Sequence, residues 1–214
     1  MNHRSVTHAC RLFAAGLSLL AVSACGTLRP AATPNSAFYS LDGVRTSAPA
    51  AAAAAAPTLI INPPHAAAGF DSPRIIYVRE THKLEYFAHS EWIDPPARML
   101  APLLVAAIES TGVFRAVALT PSSAAGDLRL DTEIIRLQHE FGTRPSRVRF
   151  TLRAYLVDDK TRRVLAWREF DAAVPATSED PYGGVVAANR AVQTVLDNLA
   201  AFCAEAVRNA RTEK

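Results

Sequence analysis

The hydrophobic pattern of this chain separates a short apolar leader from a longer body in which apolar residues recur with regular periods. The leader contains an apolar run, Leu12 to Val22, behind a basic N-terminus with Arg4 and Arg11. A helix needs about 20 apolar residues to span a bilayer, so this run is too short to span one comfortably. Small residues follow it at Ser23 and Ala24. This order is typical of a cleaved secretory signal, which we place at residues 1–24.

Strict alternation in the second half of the body predicts three long strands, at about 127–139, 146–157 and 164–173. In the middle strand, one face carries the apolar residues Val148, Phe150, Leu152, Ala154 and Leu156. The alternation shifts by one residue after Ile134, which predicts a β-bulge in the first strand. Short turns between the three predict an antiparallel meander that is apolar on one face.

Shorter apolar runs predict strands at 38–41, 59–61, 74–79, 84–88 and 114–119. The helical period predicts one helix after Asp94, ending before Gly112 with a bend at Pro102, and another from Gly184 to Asn209. Asp94 is expected to cap the first helix, with Pro95 at its first position, Pro96 following and Trp92 packed beneath its start.

Together these elements predict an α/β fold. It is a mixed, largely antiparallel β-sheet packed with two main helices, an αβ sandwich, forming a single domain after the leader. Residues 25–37 are interpreted as a tether, 38–210 as the domain and 211–214 as a polar tail. An alanine- and proline-rich stretch at 43–58 is expected to be a surface loop without an assigned function.

Charge and cysteine usage restrict the function classes. The formal net charge is +3, and two of the basic residues leave with the signal, so the remaining chain is nearly neutral and does not suit nucleic acid. Cys10 also leaves with the signal. Cys203 lies on the predicted apolar face of the last helix, where we expect a buried thiol.

The third cysteine gives the most specific signal. The tetrapeptide Val22-Ser23-Ala24-Cys25 resembles the lipobox of bacterial lipoproteins, in which the cysteine becomes the new N-terminus and carries fatty acyl chains such as palmitate. The alternative is an ordinary signal with a chance cysteine. Two or more acyl chains give stable membrane anchoring, so Cys25 is the predicted lipid attachment site. In the usual sorting pattern of lipoproteins, Gly26 implies the periplasmic face of the outer membrane.

Motifs of catalysis and cofactor binding are absent from the sequence: there is no G-x-x-x-x-G-K-[ST], H-E-x-x-H, C-x-x-C or G-x-S-x-G. We expect no enzyme activity, no cofactor and no metal site. The histidines of the body are interpreted as surface polar residues: His65, His82, His89 and His139.

Three arginines of the middle strand share one face: Arg147, Arg149 and Arg153. We expect pairing with acidic residues of the neighbouring strand, Asp127, Asp131 and Glu133.

Four segments carry a family resemblance: Phe38-Tyr39-Ser40-Leu41, the pair Arg74–Tyr77 and Leu84–Ala88, Glu91–Arg98, and Val164–Ala166 leading to Phe170. In this order after a lipobox they resemble the ABC-type transport auxiliary lipoprotein family, which includes PqiC-like proteins. The likeness covers nearly all of the body, and the alanine-rich loop departs from it.

The resemblance implies a non-enzymatic docking subunit that faces the periplasm. Its implied partners are an MCE-domain (MlaD-like) periplasmic protein and an ABC permease with its ATPase, which together move lipids between two membranes. It also implies an αβ sandwich fold. A homo-oligomer is compatible with such a role. The alternative function is a lipoprotein that carries or chaperones a lipid in an apolar pocket of its own.

We expect mass spectrometry of the native protein to find an acylated Cys25 as the first residue, because the lipobox is read by the acylation and cleavage machinery. An unmodified sulfur at this position, or a leader that is still attached, would contradict the anchor.

Overall fold

The computed structural model describes residues 35–42, 53 and 55–212, and from Ser36 onward the chain forms one compact unit. The signal, Cys25, nearly all of the tether and most of the alanine-rich stretch lie outside the described residues. The strands are β1 (Ala37–Tyr39), β2 (Thr58–Ile61), β3 (His65–Ala66), β4 (Arg74–Val78), β5 (Glu85–Trp92), β6 (Ala116–Leu119), β7 (Leu128–Glu140), β8 (Arg147–Asp158) and β9 (Val164–Pro175). The helices are α1 (Pro96–Glu109) and α2 (Pro181–Thr212).

Strand β7 organises the sheet. On one side it pairs antiparallel with β8, and β8 pairs antiparallel with β9, which is the predicted meander. On its other side, three short strands follow one another along its length, and all of them are parallel to it: β2, β3 and β4. Beyond these, β6 pairs with β2, while β5 and then β1 extend the sheet from β4. The sheet is therefore mixed, as the sequence predicts.

The predicted bulge is present in β7. Its register against β8 shifts between Ile134 and Arg136. Before the shift the buried side chains are at even positions, such as Leu130 and Ile134, and after it they are at odd positions, Leu137 and His139. The bulge thus keeps both halves of a long strand facing the same core.

Much of the core lies between the meander and α2, and buried residues of β2 and α1 belong to the same hydrophobic cluster. Helix α2 packs across β8 and β9, and its residues Val195, Leu199 and Cys203 are fully buried. From the strands, Phe150 and Leu152 are equally buried. The rings of Phe170 and Phe202 meet edge to face at 5.7 Å between centroids. This amphipathic helix therefore covers the apolar face that the strand pattern predicts.

The start of α1 differs from the prediction. Pro95, not Asp94, is the N-cap, and Pro96 takes the first helical position. The carboxylate of Asp94 makes no capping bond and accepts a hydrogen bond from Arg98 at 3.1 Å. With two consecutive prolines, the second one occupies the position that needs no N–H, which moves the helix start by one residue. Pro102 does lie inside the helix, and Gly112 follows it with a φ of 63°.

Helix α2 begins three residues earlier than the predicted Gly184. Asp180 accepts hydrogen bonds from the backbone N–H of Gly183 (2.7 Å) and from the hydroxyl of Ser178 (2.9 Å). Pro181 follows as the first helical residue. A side chain at Gly183 would overlap the backbone of Ser178, so this cap requires glycine there. This is the Asp-Pro cap that the sequence predicts for α1.

We expect Leu152→Ala to lower the free energy of unfolding by about 2–5 kcal/mol, because Leu152 is fully buried on the core face of β8. The adjacent Arg153 points to the opposite face, where Arg153→Ala loses only exposed ion pairs, which are worth about 0–1 kcal/mol each. Urea unfolding of both variants measures the difference. Equal losses would contradict the assigned orientation of β8.

Candidate functional site

The structural motif predicted around Trp92 lies at the end of β5. Trp92 is only 3% exposed, and its backbone N–H donates to the carbonyl of Pro73 at 2.7 Å. Its ring therefore belongs to the core, and little of it is available to stack on a ligand. Asp94, Pro95 and Pro96 form the turn from this strand into α1. The motif therefore forms the connection between β5 and α1, and its one ionisable side chain, Asp94, is paired with Arg98.

A buried polar cluster joins the β7–β8 turn to the start of α2. His139 and Ser146 are 2% and 0% exposed, and His139 Nε2 lies 2.7 Å from Ser146 Oγ. The backbone N–H of Ser146 donates to the Glu179 carboxylate at 2.8 Å, which lowers the pKa of Glu179. The Nδ1 atom of His139 is buried and has no hydrogen-bond partner among the described residues. It faces Gly184, where a Cβ atom would lie only 2.6 Å away.

The burial of His139 corrects the interpretation of this residue as a surface histidine. Desolvation lowers its pKa from 6.5, and the nearby carboxylates of Glu179 and Asp180 oppose this shift in part. The sequence contains a signal for this location. The phase shift at the bulge moves the core-facing positions of β7 from even to odd, and His139 is one of them.

Serine, histidine and glutamate together invite comparison with a hydrolytic triad, but the arrangement differs. In a triad, the acid accepts a hydrogen bond from the histidine nitrogen that faces away from the serine. Here the Glu179 carboxylate accepts a hydrogen bond from the backbone N–H of Ser146 instead, and His139 Nδ1 has no hydrogen-bond partner within the described part of the chain. Ser146 is also fully buried, so no substrate carbonyl can reach its hydroxyl. This cluster fixes the turn to the helix start and is not set up for catalysis.

A small cavity adjoins the cluster between the sheet and α2. Its volume is about 10 Å³, and its lining includes Ile75, Trp92, His139 and Ala188. That is about the space of one water molecule, whereas ligand pockets usually measure about 300–1,000 Å³. This cavity cannot hold an acyl chain, so it gives no support to the lipid-carrier alternative.

Above the cluster, three half-buried rings form an aromatic cluster of Tyr77, Phe87 and Phe141. The ring centroids of Tyr77 and Phe87 are 4.6 Å apart, and those of Tyr77 and Phe141 are 5.9 Å apart. The guanidinium of Arg79 lies 4.9 Å from the Tyr77 centroid and 5.7 Å from that of Phe141. These residues come from β4, β5 and the turn after β7, so the sequence gives no direct sign of their meeting.

Another aromatic pair, which is more exposed, lies near the β8–β9 turn, at the end of the meander opposite to the β7–β8 turn. Trp167 of β9 is 61% exposed and stacks on Tyr155 of β8 at 6.3 Å. Val164, at the start of β9, is also exposed. Within the described part of the chain, β9 pairs only with β8, so its outer edge is open. Exposed tryptophan is typical of protein interfaces.

The arginine face of β8 is paired with carboxylates, as the strand pattern predicts, but mainly with partners other than the predicted ones. Glu140 accepts hydrogen bonds from Arg147 (2.9 Å) and Arg149 (3.2 Å). Arg149 also reaches Asp171 at 2.8 Å, and Arg153 reaches Glu169 at 2.9 Å and Glu133 at 3.7 Å. Of the three predicted partners, only Glu133 pairs with these arginines. Asp131 pairs with Arg129, and Asp127 with Lys160.

Cys203 is fully buried, and desolvation raises the pKa of its thiol to about 12, so this thiol is unreactive.

Among the described residues, no three histidine, cysteine, aspartate or glutamate side chains are grouped so as to hold a metal ion. Of the helices described, none has the length and apolar character needed to cross a membrane.

Comparisons with known proteins find a matching family and solved structures with the same fold. The model of the family described as "ABC-type transport auxiliary lipoprotein component" matches residues 39–200. The crystal structure of XCC0632 from Xanthomonas campestris, assigned to the family model DUF330, is 25% identical with a TM-score of 0.71. It covers 83% of this chain and 99% of its own. The crystal structure of an uncharacterized protein has a TM-score of 0.62 at 12% identity, covers 79% and 99%, and supports the fold alone. No curated protein matches this chain.

We expect the stability of the protein to fall as the pH drops from about 6.5 towards the lowered pKa of His139, because the unfolded chain then binds a proton that the buried ring resists. Asn at this position cannot titrate, so His139→Asn should flatten this part of the profile, measured by urea unfolding between about pH 8 and about pH 5.

Glu179 and Asp180 provide an internal control. Hydrogen bonds from Ser146 and Gly183 lower their pKa values, so their contributions are lost only in a more acidic range. A wild-type profile that stays flat through pH 6.5 would contradict the buried, neutral state of His139.

Proposed function

This chain belongs to the ABC-type transport auxiliary lipoprotein family, and we propose from that premise that it is the non-enzymatic docking subunit of an MCE-type lipid transporter. The family match over residues 39–200 is the observation that carries the proposal, because it spans most of the folded domain. In this proposal the partners are an MCE-domain (MlaD-like) periplasmic protein and the ABC permease with its ATPase.

Anchoring is the first part of the proposed role. Acyl chains on Cys25 hold the protein at the periplasmic face of the outer membrane, and Gly26 is the sorting signal. Each buried CH₂ contributes about 0.8 kcal/mol, so two or three chains give an anchor that does not exchange readily. The tether extends to about 40 Å at most, at about 3.3 Å per residue. The folded domain therefore stays close to the bilayer that carries it.

Docking is the second part, and features of the surface support it. Trp167 and Val164 are exposed beside the open edge of β9, and such an edge is able to accept a strand from a partner. The buried Ser146–His139 pair offers no accessible nucleophile, which fits a role without catalysis. The same edge leaves room for a second copy of the chain, so self-assembly stays a prediction.

The anchor is tested by replacing residues 1–24 with a leader for ordinary secretion and adding Cys25→Ser. We expect the wild type to incorporate labelled palmitate and to float with the outer membrane, because its acyl chains insert there. The altered chain should be unlabelled and soluble in the periplasm. Cys203→Ser is the matched control and should behave as the wild type, since its thiol is buried. Membrane association of the unlabelled chain would contradict the anchor.

The partner is tested by affinity purification of the tagged wild-type chain from its native membranes in mild detergent. We expect mass spectrometry to identify the MCE-domain protein, the permease and the ATPase together, because a docking subunit binds the assembled transporter. A tagged chain with Trp167→Ser and Val164→Ser should recover less of these transporter proteins. Both side chains are exposed, so the substitutions leave the core unaltered. Recovery of lipid without these proteins would contradict docking and favour the carrier alternative.

A further inference from the structure

The outer edge of β9 has no strand beside it in the described part of the chain, and the register against β8 identifies the backbone groups that face outwards. The N–H of Ala176 donates to the carbonyl of Ser146 at 2.7 Å, which continues this register. In an antiparallel pair, residues whose backbone bonds point to the partner alternate with residues whose groups point away. Ala176 and every second residue before it therefore face β8. The residues between them point their N–H and C=O groups outwards, namely Trp167, Glu169, Asp171 and Ala173.

The side chains of these outward residues lie on one face of the sheet. It is the face opposite to Phe170, whose ring packs against Phe202 of α2. The cross-strand neighbours of Trp167, Glu169 and Asp171 on β8 are Tyr155, Arg153 and Thr151. The open backbone groups and this row of side chains therefore belong to the same residues, and a strand added at the edge would meet both.

Two carboxylates on this row, which we call the edge carboxylates, have their partners on the β8 side. Glu169 accepts a hydrogen bond from Arg153 at 2.9 Å, and Asp171 accepts one from Arg149 at 2.8 Å. Both acidic side chains are still 43% exposed. A carboxylate has about four lone-pair sites, so each of them can accept further hydrogen bonds from the open side.

The arginines of β8 do not fully neutralise this part of the face. Arg149 is shared with Glu140, and Arg153 is shared with Glu133. Arg147 also pairs with Glu140, so three arginines serve these two glutamates and the two edge carboxylates. One negative charge is left over. The edge carboxylates stand beside the open side, where a further cation would complete the pairing.

This charge pattern selects what the edge can bind. Opposite charges directly across two strands stabilise the pairing, and like charges destabilise it. A second β9 is a poor occupant, because two such strands would bring their carboxylates together. Charged residues on an edge also prevent unwanted strand pairing, so the same carboxylates exclude strands without basic residues.

We propose that the open edge of β9 binds an extended strand with basic residues at two alternate positions, opposite Glu169 and Asp171, and an apolar residue opposite Trp167. The inference rests on the proposed function for the source of this strand, which is a component of the transporter. Backbone hydrogen bonds to the outward groups of β9 provide affinity, and the alternate side chains provide specificity.

The test uses the purified full chain in mild detergent and two fluorescent nine-residue peptides. Both peptides have threonine at the odd positions. The even positions hold valine, lysine, lysine and valine in the basic peptide, and valine, glutamate, glutamate and valine in the acidic one. This order is palindromic, so each peptide matches the edge in either strand direction. By fluorescence anisotropy in low salt, we expect the basic peptide to bind about tenfold more tightly, with a preference that shrinks as salt is added.

A third peptide separates strand addition from attraction by charge alone. It is the basic peptide methylated on its backbone nitrogens, which keeps both lysines and cannot donate hydrogen bonds to the edge. We expect it not to bind. Binding as tight as that of the unmethylated peptide would overturn the inference.

Charge reversal locates the binding to β9. Glu169→Lys with Asp171→Lys should reverse the preference, so that the acidic peptide binds more tightly. Asp197→Lys with Glu205→Lys is the matched control, because it makes the same change of charge at exposed positions of α2 and should keep the preference of the wild type. Thermal unfolding of both variants excludes a loss of folding as the cause.

The two proposals fail in different ways. If the wild type binds both peptides equally, or binds neither, only this inference is overturned, and affinity purification still decides whether the chain docks on the transporter. If the basic peptide is preferred but the MCE-domain protein, permease and ATPase are not recovered, the proposed function is overturned and the specificity of the edge stands.

Discussion

The burial of α2 against the meander is the interaction on which the rest of this structure depends. An antiparallel sheet that is apolar on one face cannot remain open to water on that face, and α2 supplies the cover. Val195, Leu199 and Cys203 contribute fully buried side chains to this contact. The same contact sets the position of Gly184 against His139, and it therefore fixes the buried cluster as well as the core.

The meander and α2 are predictable because their signals are local. Alternation over a dozen residues identifies β7, β8 and β9, and a single phase shift locates the bulge at Ile134. Helix starts are less predictable. The dipeptide Asp-Pro occurs before both helices, yet only Asp180 caps its helix, because a second proline after Pro95 takes the first helical position of α1. Strand β3, with two residues, is too short to leave a periodic signal.

The surfaces that matter for function are harder to predict, because they depend on contacts between distant segments. Tyr77, Phe87 and Phe141 meet only once β4, β5 and β7 are placed beside one another. The ion pairs of the sheet are also hard to predict from the sequence. Neighbouring strands are predictable, but the choice of Glu140 as the partner of Arg147 and Arg149 depends on register and side-chain reach. Burial of His139 is the exception, since the phase shift of β7 already implies it.

The pairing of one long strand with three short ones has a consequence for how such a domain changes in evolution. One long strand, β7, runs along the whole sheet, while β2, β3 and β4 pair with it as separate short strands. The connections between those pieces carry little of the core, so residues can be gained or lost there while the long strand and its helix stay in place. We therefore expect distant homologues to vary in length mainly at 62–64 and 67–73 and to preserve the spacing from β7 to β9.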